Sequence, residues 1–345
     1  MGAKNDANTG RPYHRRRASE SRVREEIVGR RSGKRGKCNG RVRATVLALG
    51  VVASFARVGA VRAASPYEDP YEMPTTPRSP TLPPLTHSET EATVETTIGA
   101  LIPERGPKSG ELQRSLGFVE RLNVELPVAK RQWFLGSNYE FAVGAPPSGG
   151  GALQLVGGNL EVYGRVVWAM RTGLAFGGGL GVMAPTSSFD PDSPASRVAT
   201  AAATIRPWDY SFFRQDAFGL RPYFDVRAVD GRFVIQFRQG IDYAVELSGL
   251  AQKTFAATGA LYLGYRVASW LGAGVEVLEY YVLDDSVKDA KRATFTFSPS
   301  VRFMTKHMQP SVSGFTNVGG LPYDGVSRIW GMRLAFTVLF EAPTL

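Results

Sequence analysis

From Ser327 to Phe340, the residues Trp330, Met332, Leu334, Phe336, Val338 and Phe340 fall at every second position, with Arg333 and Thr337 between them. A two-residue period sends alternate side chains to opposite faces of a strand, so this segment has one apolar face and one polar face. The pattern recurs along most of the chain. Strands with a lipid-compatible face must have both edges paired, and a sheet closed on itself does that. The expected fold class is therefore all-β: a transmembrane, antiparallel, up-and-down β-barrel of about 12 strands (10–14 being admissible), preceded by a disordered N-terminal region.

The clearest strands are Phe118 to Leu126, Trp133 to Val143 and Phe233 to Val245. In the last of these Phe233, Ile235, Phe237, Ile241, Tyr243 and Val245 oppose Gln236, Arg238 and Asp242. Further alternating segments lie near 92–102, 153–168, 172–184, 220–229, 254–266, 270–282, 293–305, 309–318 and 327–340, making twelve. The connections near 128–131, 169–171, 230–231, 267–269 and 306–308 are tight. Those at 103–117, 144–152, 185–219, 246–253, 283–292 and 319–326 are longer and rich in Gly, Pro, Ser and Asp. Short turns on one side and long loops on the other, with both termini on the short-turn side, fit a membrane barrel better than a soluble sandwich. Aromatics cluster at the strand ends, as interfacial girdles do: Trp133, Trp168, Phe233, Tyr265, Phe303 and Phe340 at one level, Phe118, Tyr139, Tyr243, Phe255, Phe295 and Trp330 at the other.

The formal net charge of +10 would suggest a nucleic-acid partner if it were spread over the chain. It is not. Residues 1–64 hold 16 Lys/Arg against 4 Asp/Glu, a net +12, which leaves 25 basic and 27 acidic residues, a net −2, in the rest. The basic clusters are followed by an apolar run of 13 residues, Ala44 to Ala56, ended by Arg57. Basic-then-apolar order is the grammar of a secretory signal, and the run is shorter than the roughly 20 residues a spanning helix needs. No nucleic-acid partner is expected. Residues 1–63 read as a basic leader and signal peptide, with cleavage after Ala63 in Val61-Arg62-Ala63. Cys38, the one cysteine, leaves with it. Residues 64–91 are dense in Pro and read as a periplasmic linker, 92–340 as the barrel, and 341–345 as a short tail.

On these strands the chain resembles, as a class, the Gram-negative outer-membrane β-barrels of porin-like type over residues 92–340. Its closing strand resembles the recognition signal of that class through Gly331, Leu334, Phe336, Val338 and Phe340. The resemblance implies export behind the signal peptide and residence in an outer membrane. It implies as partners the barrel-assembly machinery, which reads such a closing strand, and outer-membrane lipid and lipopolysaccharide. The tail after Phe340 departs from members that end on the aromatic.

If the apolar face meets lipid, the lumen collects Glu125, Glu140, Glu161, Asp225, Asp242 and Glu276 with Arg121, Arg165, Arg221, Arg227, Arg238, Arg266, Arg302 and Arg333. These are the pore-lining candidates. For any one of them the plain role is a salt-bridged prop of the wall; the functional role is a wet pore with weak anion preference. The longest loop, Pro185 to Gly219, combines a helix-capable run, Ala195 to Ile205, with Arg206, Trp208, Asp209, Tyr210, Phe212, Phe213 and Arg214. So many aromatics in a loop suit a constriction folded into the barrel mouth, a rim resting on lipopolysaccharide, or an outward binding surface. Gly177-Gly178-Gly179-Leu180-Gly181 lies in a strand pattern and relieves crowding rather than cradling a phosphate.

No enzyme is expected. An outer-membrane lipid hydrolase needs His beside Ser at the wall, and of the histidines only His307 falls within the barrel, in a periplasmic turn; His14 is in the leader and His87 in the linker. No cofactor or metal spacing is present. The functional expectation is a passive channel for small polar solutes. The alternatives are a non-conducting structural or surface-binding barrel, and thirdly a lipid-modifying enzyme. The first two are separated by whether residues 195–215 occupy the lumen.

Overall fold

In a computed structural model the described residues are 77–83, 85, 90–103, 116–129, 132–145, 152–171, 173–247, 253–284, 292–321 and 326–340. The signal peptide, its cleavage after Ala63, Cys38, residues 64–76, His14, His87 and the tail 341–345 lie outside them.

Thirteen strand segments follow one another: β1 (Thr90–Pro103), β2 (Leu116–Ala129), β3 (Trp133–Gly144), β4 (Gln154–Gly157), β5 (Leu160–Arg171), β6 (Leu174–Ala184), β7 (Ala217–Asp230), β8 (Phe233–Glu246), β9 (Lys253–Ala268), β10 (Leu271–Val282), β11 (Ala293–Phe303), β12 (Met308–Gly319) and β13 (Val326–Phe340). β4 and β5 both pair with β3 and are separated by Gly158 and Asn159, so they form one wall strand with a break in it. With β4 and β5 counted as one, every strand runs antiparallel to the next, and β1 pairs with β13 from Thr90↔Phe340 to Pro103↔Val326. The sheet is thus a closed, 12-stranded antiparallel barrel, and the expected strands stand with ends shifted by a few residues.

Register follows the hydrophobic alternation. In β13 Trp330, Met332, Leu334, Phe336 and Phe340 are exposed on the outer face while Arg333, Ala335, Thr337 and Leu339 are buried inside. β11 repeats the pattern, with Phe295, Phe297, Val301 and Phe303 outward and Thr294, Thr296, Ser298, Ser300 and Arg302 inward. The tight turns are those expected. Asp230 pairs with Phe233 across a two-residue turn that begins at Gly231, whose φ of 57° is the positive value such hairpins need at that place.

Between β6 and β7 the chain forms α1 (Pro194–Ile205) and a 3-10 helix (Pro207–Phe213). Ser193 caps α1 by accepting the Ser196 N–H, and Pro194 starts the helix where no N–H is needed. Pro207 ends it. Both helices are largely buried, and their contacts place them inside the wall rather than above it.

Candidate functional site: the filled bore

The helical insert fits the wall piece by piece. Val198, Ala199, Ala202 and Ala203 of α1 pack with Val119 of β2, Ala142 of β3 and Val156 of β4, joined by Phe212 and Phe213. Small side chains let the helix approach the sheet closely. Ile205 fills a space that exists only because β1 and β2 carry glycine there: a Cβ on Gly99 would overlap Ile205 Cγ2, and one on Gly117 would come within 2.7 Å of its Cδ1. Trp208 meets Phe315 of β12 edge to face at 5.7 Å between ring centroids.

Charge fixes the tip of the insert. Arg206 has no exposed surface; its Nη1 donates to Glu95 Oε1 (2.6 Å) and Thr97 Oγ1 (3.1 Å) of β1, and its Nη2 to Asp209 Oδ2 (2.6 Å). Glu140 Oε1 of β3 stands 3.3 Å from the same Nη2. Arg221 of β7 lies 3.3 Å from Glu161, 3.5 Å from Asp209 and 3.8 Å from Asp242. Burial alone would raise the Asp209 carboxyl, yet Arg206, then Arg121 and Arg221, hold it well below the usual carboxylate range. Further out, Arg214 pairs with Glu246 at 2.6 Å, and Ser211 donates to Asp242.

The break in the wall is where the insert is hung. Gly158 N–H still donates to Glu140 O, but Asn159 N–H donates to Phe212 O (2.7 Å) instead of continuing the ladder. The buried Asn159 side chain donates to Ser211 O and Arg214 O and accepts the Ser187 N–H. A side chain at Gly158 would meet the carbonyl oxygens of Glu140 (2.9 Å) and Phe212 (3.0 Å), so the close approach requires glycine.

A second insert comes from the other end. Residues 77–83 and 85, a strap read from sequence as part of a periplasmic linker, lie within the bore, and Thr90 and Glu91 already belong to β1. Arg333 Nη1 donates to Thr81 Oγ1 (2.6 Å), Ser79 and Thr81 both donate to Glu276, Gln236 donates to Pro83 O and Arg302 to Ser79 O. A prolyl segment has few N–H groups to satisfy, so a polar wall rich in side-chain partners accommodates it where a β-ladder would not. Leu85 lies over Gly177, where a Cβ would come within 2.8 Å of it; Gly179 and Gly181 likewise clear space for Tyr223 and Glu161. The expected crowding relief by this glycine run is thus a set of specific contacts.

The two inserts meet, since Leu82 of the strap and Ile205 and Trp208 of the loop share one apolar cluster with Tyr262, Leu278 and Ile329. Beside that cluster a cavity of about 130 Å³ remains, lined by Arg121, Asn123, Glu161, Tyr163, Asp209 and Arg238 among others. By volume it holds several waters.

All fourteen residues named from sequence for the lumen are on the inner face. Arg165 pairs with Glu125 through two bonds (2.6 and 2.5 Å), Arg238 with Asp225 through two (2.7 Å each), and Arg333 with Glu276 at 3.1 Å. Arg121 bonds Asn138, Arg227 and Arg302 are buried, and Arg266 is half-buried near the end of β9. Of the seven loop residues, Arg206, Trp208, Asp209, Phe212, Phe213 and Arg214 are buried inside, and Tyr210 packs against Tyr280 at 6.0 Å. Glu95 was not named from sequence, although it alternates with Thr93 and Thr97 on the polar face of β1. With Arg206 set against Glu95 and Asp209, eight Arg facing six carboxylates become nine facing eight, so the positive excess shrinks to one. His307 lies in the turn between β11 and β12, its carbonyl accepting Leu339 N–H.

No family model and no curated protein matches the sequence. Solved structures do match. An outer membrane channel from Pseudomonas putida F1 superposes with a TM-score of 0.55 at 10% identity, covering 73% of this chain and 96% of that one. The NanC porin (TM-score 0.46, 11% identity, 71% of this chain and 98% of that one) and the KdgM porin in complex with oligogalacturonate (0.43, 15%, 73% and 99%) also match. The likeness to the Pseudomonas protein is one of fold: the chain has the architecture of the outer-membrane β-barrels.

Proposed function

We propose that this protein resides in the outer membrane of a Gram-negative bacterium, reaches it by signal-peptide export, and is a non-enzymatic channel for small polar solutes whose bore is shut at rest by two inserts. Its closing strand would be read by the assembly machinery and its rim would face lipopolysaccharide. The observation that carries the reading is the charged cavity held between loop and strap. A barrel that served only as a scaffold would gain by filling that volume, because unfilled polar space forfeits packing and leaves hydrogen-bonding groups to water. The strap is the more releasable insert: it is tied by a handful of hydrogen bonds and two leucines, whereas the loop has a buried ion cluster, a capped helix and the Asn159 latch. With the luminal charges nearly balanced, selectivity between anions and cations should be weak.

Planar-bilayer recordings of the full chain, of a deletion of residues 77–85 and of a deletion of 198–213 test this. Rare small openings in the full chain and a higher, steadier conductance in the strap deletion are expected, with the loop deletion higher still. Silence from all three after confirmed insertion would leave the second reading, a plugged structural barrel. That reading has its own support in the position of α1 and the 3-10 helix inside the bore, and in the burial of Arg206 among three carboxylates, an arrangement suited to permanence.

A further inference from the structure

Glu279 is out of place. Its strand neighbours Leu278 and Tyr280 are buried in the bore, so Glu279 itself stands on the outer face of β10 with Val277. Across the sheet it pairs with Gly259 of β9, and Gly259 pairs with Gln239 of β8. A Cβ on Gly259 would lie 3.1 Å from Glu279 Oε2 and 3.2 Å from Gln239 Oε1, so both side chains lean over the glycine and offer oxygens to one spot. Gln239 Nε2 is engaged with Thr258 O at 2.9 Å. Glu279 makes no hydrogen bond or ion pair among the described residues. Charge on the lipid face of a barrel is destabilising, and an ionisable group kept there without a structural partner marks a site of function.

The wall is weak at the same place. Pro222 of β7 has no N–H to donate, and the β7–β8 ladder pairs Leu220 with Tyr243 and Tyr223 with Gly240 but skips Arg221 and Pro222. The internal cavity borders the wall here: its lining includes Thr258, Ala260 and Leu278 of the inner register and also Ile241, Gly259 and Glu279 of the outer one. The patch therefore has the cavity behind it and the membrane in front.

We propose that Gln239, Gly259 and Glu279 form a lateral docking site for the protonated amine head of a single-chain amphiphile, which reaches the bore through the weakened β7–β8 seam. Two acceptor oxygens, one of them from a carboxyl group, with the Gln239 amide nitrogen turned away to Thr258 O, favour a head that brings N–H groups and positive charge. The tail has a surface to lie on outside, where Ile241 adjoins the edge-to-face pair Phe224 and Phe237, 5.9 Å between centroids. An acid-headed amphiphile would instead bring its charge against an unpaired carboxylate. Passage from the docked position into the bore rests on the channel reading, whereas docking itself does not.

The test uses the full chain in phosphatidylcholine vesicles and a dodecylamine carrying a diazirine in its tail. Photolabelling should be saturable, map to the outer faces of β8–β10, and be competed by dodecylamine at least tenfold better than by dodecanoate or butylamine. Glu279→Gln should reduce saturable labelling about tenfold and Gln239→Leu several-fold, while Glu279→Asp keeps most of it. Retained heat-modifiable migration shows that each barrel is folded. Labelling spread evenly around the barrel, equal competition by dodecanoate, or labelling unchanged in folded Glu279→Gln overturns the proposal. Barrels that never conduct but label at this site would retire the axial channel and support the docking site.

Discussion

Replacing Arg206 with alanine removes the cation that ties the loop tip to β1 and β3. Its guanidinium spans Glu95 and Thr97 on β1 and Asp209 within the loop, with Glu140 at 3.3 Å, so Arg206→Ala leaves the buried Glu95 without this partner, and Glu140 and Asp209 with only the longer contacts of Arg121 (4.0 Å) and Arg221 (3.5 Å). Breaking a buried pair by removing one partner costs about 3–5 kcal/mol. The wall ladders and the lipid-facing residues are untouched, so the cost falls on docking of the loop rather than on the barrel. At roughly 1.4 kcal/mol per tenfold, the undocked population should rise by about two to three and a half orders of magnitude. Thr204 is 1% exposed in α1, and Cys38 is the chain's one cysteine. In a Cys38→Ser background, a thiol introduced by Thr204→Cys should react with an impermeant maleimide only when the loop leaves the bore. Arg206→Ala should raise that rate by the stated factor, and adding Glu95→Gln and Glu140→Gln should recover part of it. A folded Arg206→Ala barrel whose thiol reacts at the parental rate would show that apolar contacts alone hold the loop and that the ion cluster contributes nothing to docking.

Three further outcomes are expected from the geometry. Gly99→Leu should expel the end of α1, because even its Cβ would overlap Ile205 Cγ2; Ile205→Ala should restore docking, read by the same thiol reactivity. On acidification, the depressed Asp209 carboxyl contributes docking that is fully present above the unfolded value of about 3.9 and is lost as pH falls through its lower folded value. Conductance traces at pH 5 and pH 7 should therefore look alike, with openings becoming frequent only below about pH 4; a loop that releases between 7 and 5 would mean another group governs it. Phe336→Arg on the outer face should cost roughly 2–4 kcal/mol in reversible folding into liposomes if it sits near the midplane, against little for Thr296→Ser on the inner face; equal penalties would contradict the register.

The barrel was legible because alternation is a local property: each strand declares its two faces without reference to its neighbours. The direction of the long loop was half legible, in the density of Trp208, Tyr210, Phe212 and Phe213, since aromatics in that number need burial somewhere. What the sequence concealed depends on contacts remote along the chain. Asn159 reads as an ordinary polar residue in a strand, and only the carbonyls of Ser211 and Arg214, more than fifty residues on, explain why the ladder breaks there. The strap misled for a related reason. Its prolines exclude helix and ladder, which suggests chain in water, but the inner wall offers Glu276, Arg302 and Arg333 to a segment that asks only for side-chain partners. Glu279 is the reverse case, a residue that breaks the alternation of β10 in plain sight, visible from sequence as an anomaly but meaningless until Gln239, Gly259 and the skipped pairs of β7 are placed around it.

The composition of the loop insert is graded along its path, and the wall is graded with it. Where α1 touches β2, β3 and β4, the wall presents Val119, Ala142 and Val156, and the helix answers with valine and alanine. One turn later the wall turns acidic with Glu95, Glu140, Glu161 and Asp242, and the chain answers with Arg206, while Arg221 of β7 closes the other side. Pro207 stands at this junction because the helix must stop there for Trp208 and Asp209 to turn toward the axis. A continued α1 would carry apolar side chains into the acidic belt and leave its carboxylates without a partner, each costing more than the helical hydrogen bonds gained. Apolar contacts run along α1 from Val198 to Ile205, but they are tolerant of sliding. The charged tip is not, since a shift of one residue would draw the guanidinium away from Glu95 and Glu140 of the wall and Asp209 away from Arg221. Position in the bore is therefore set by Arg206 and Asp209, which places control of the closed state in the residues most sensitive to the charge of whatever occupies the cavity beside them.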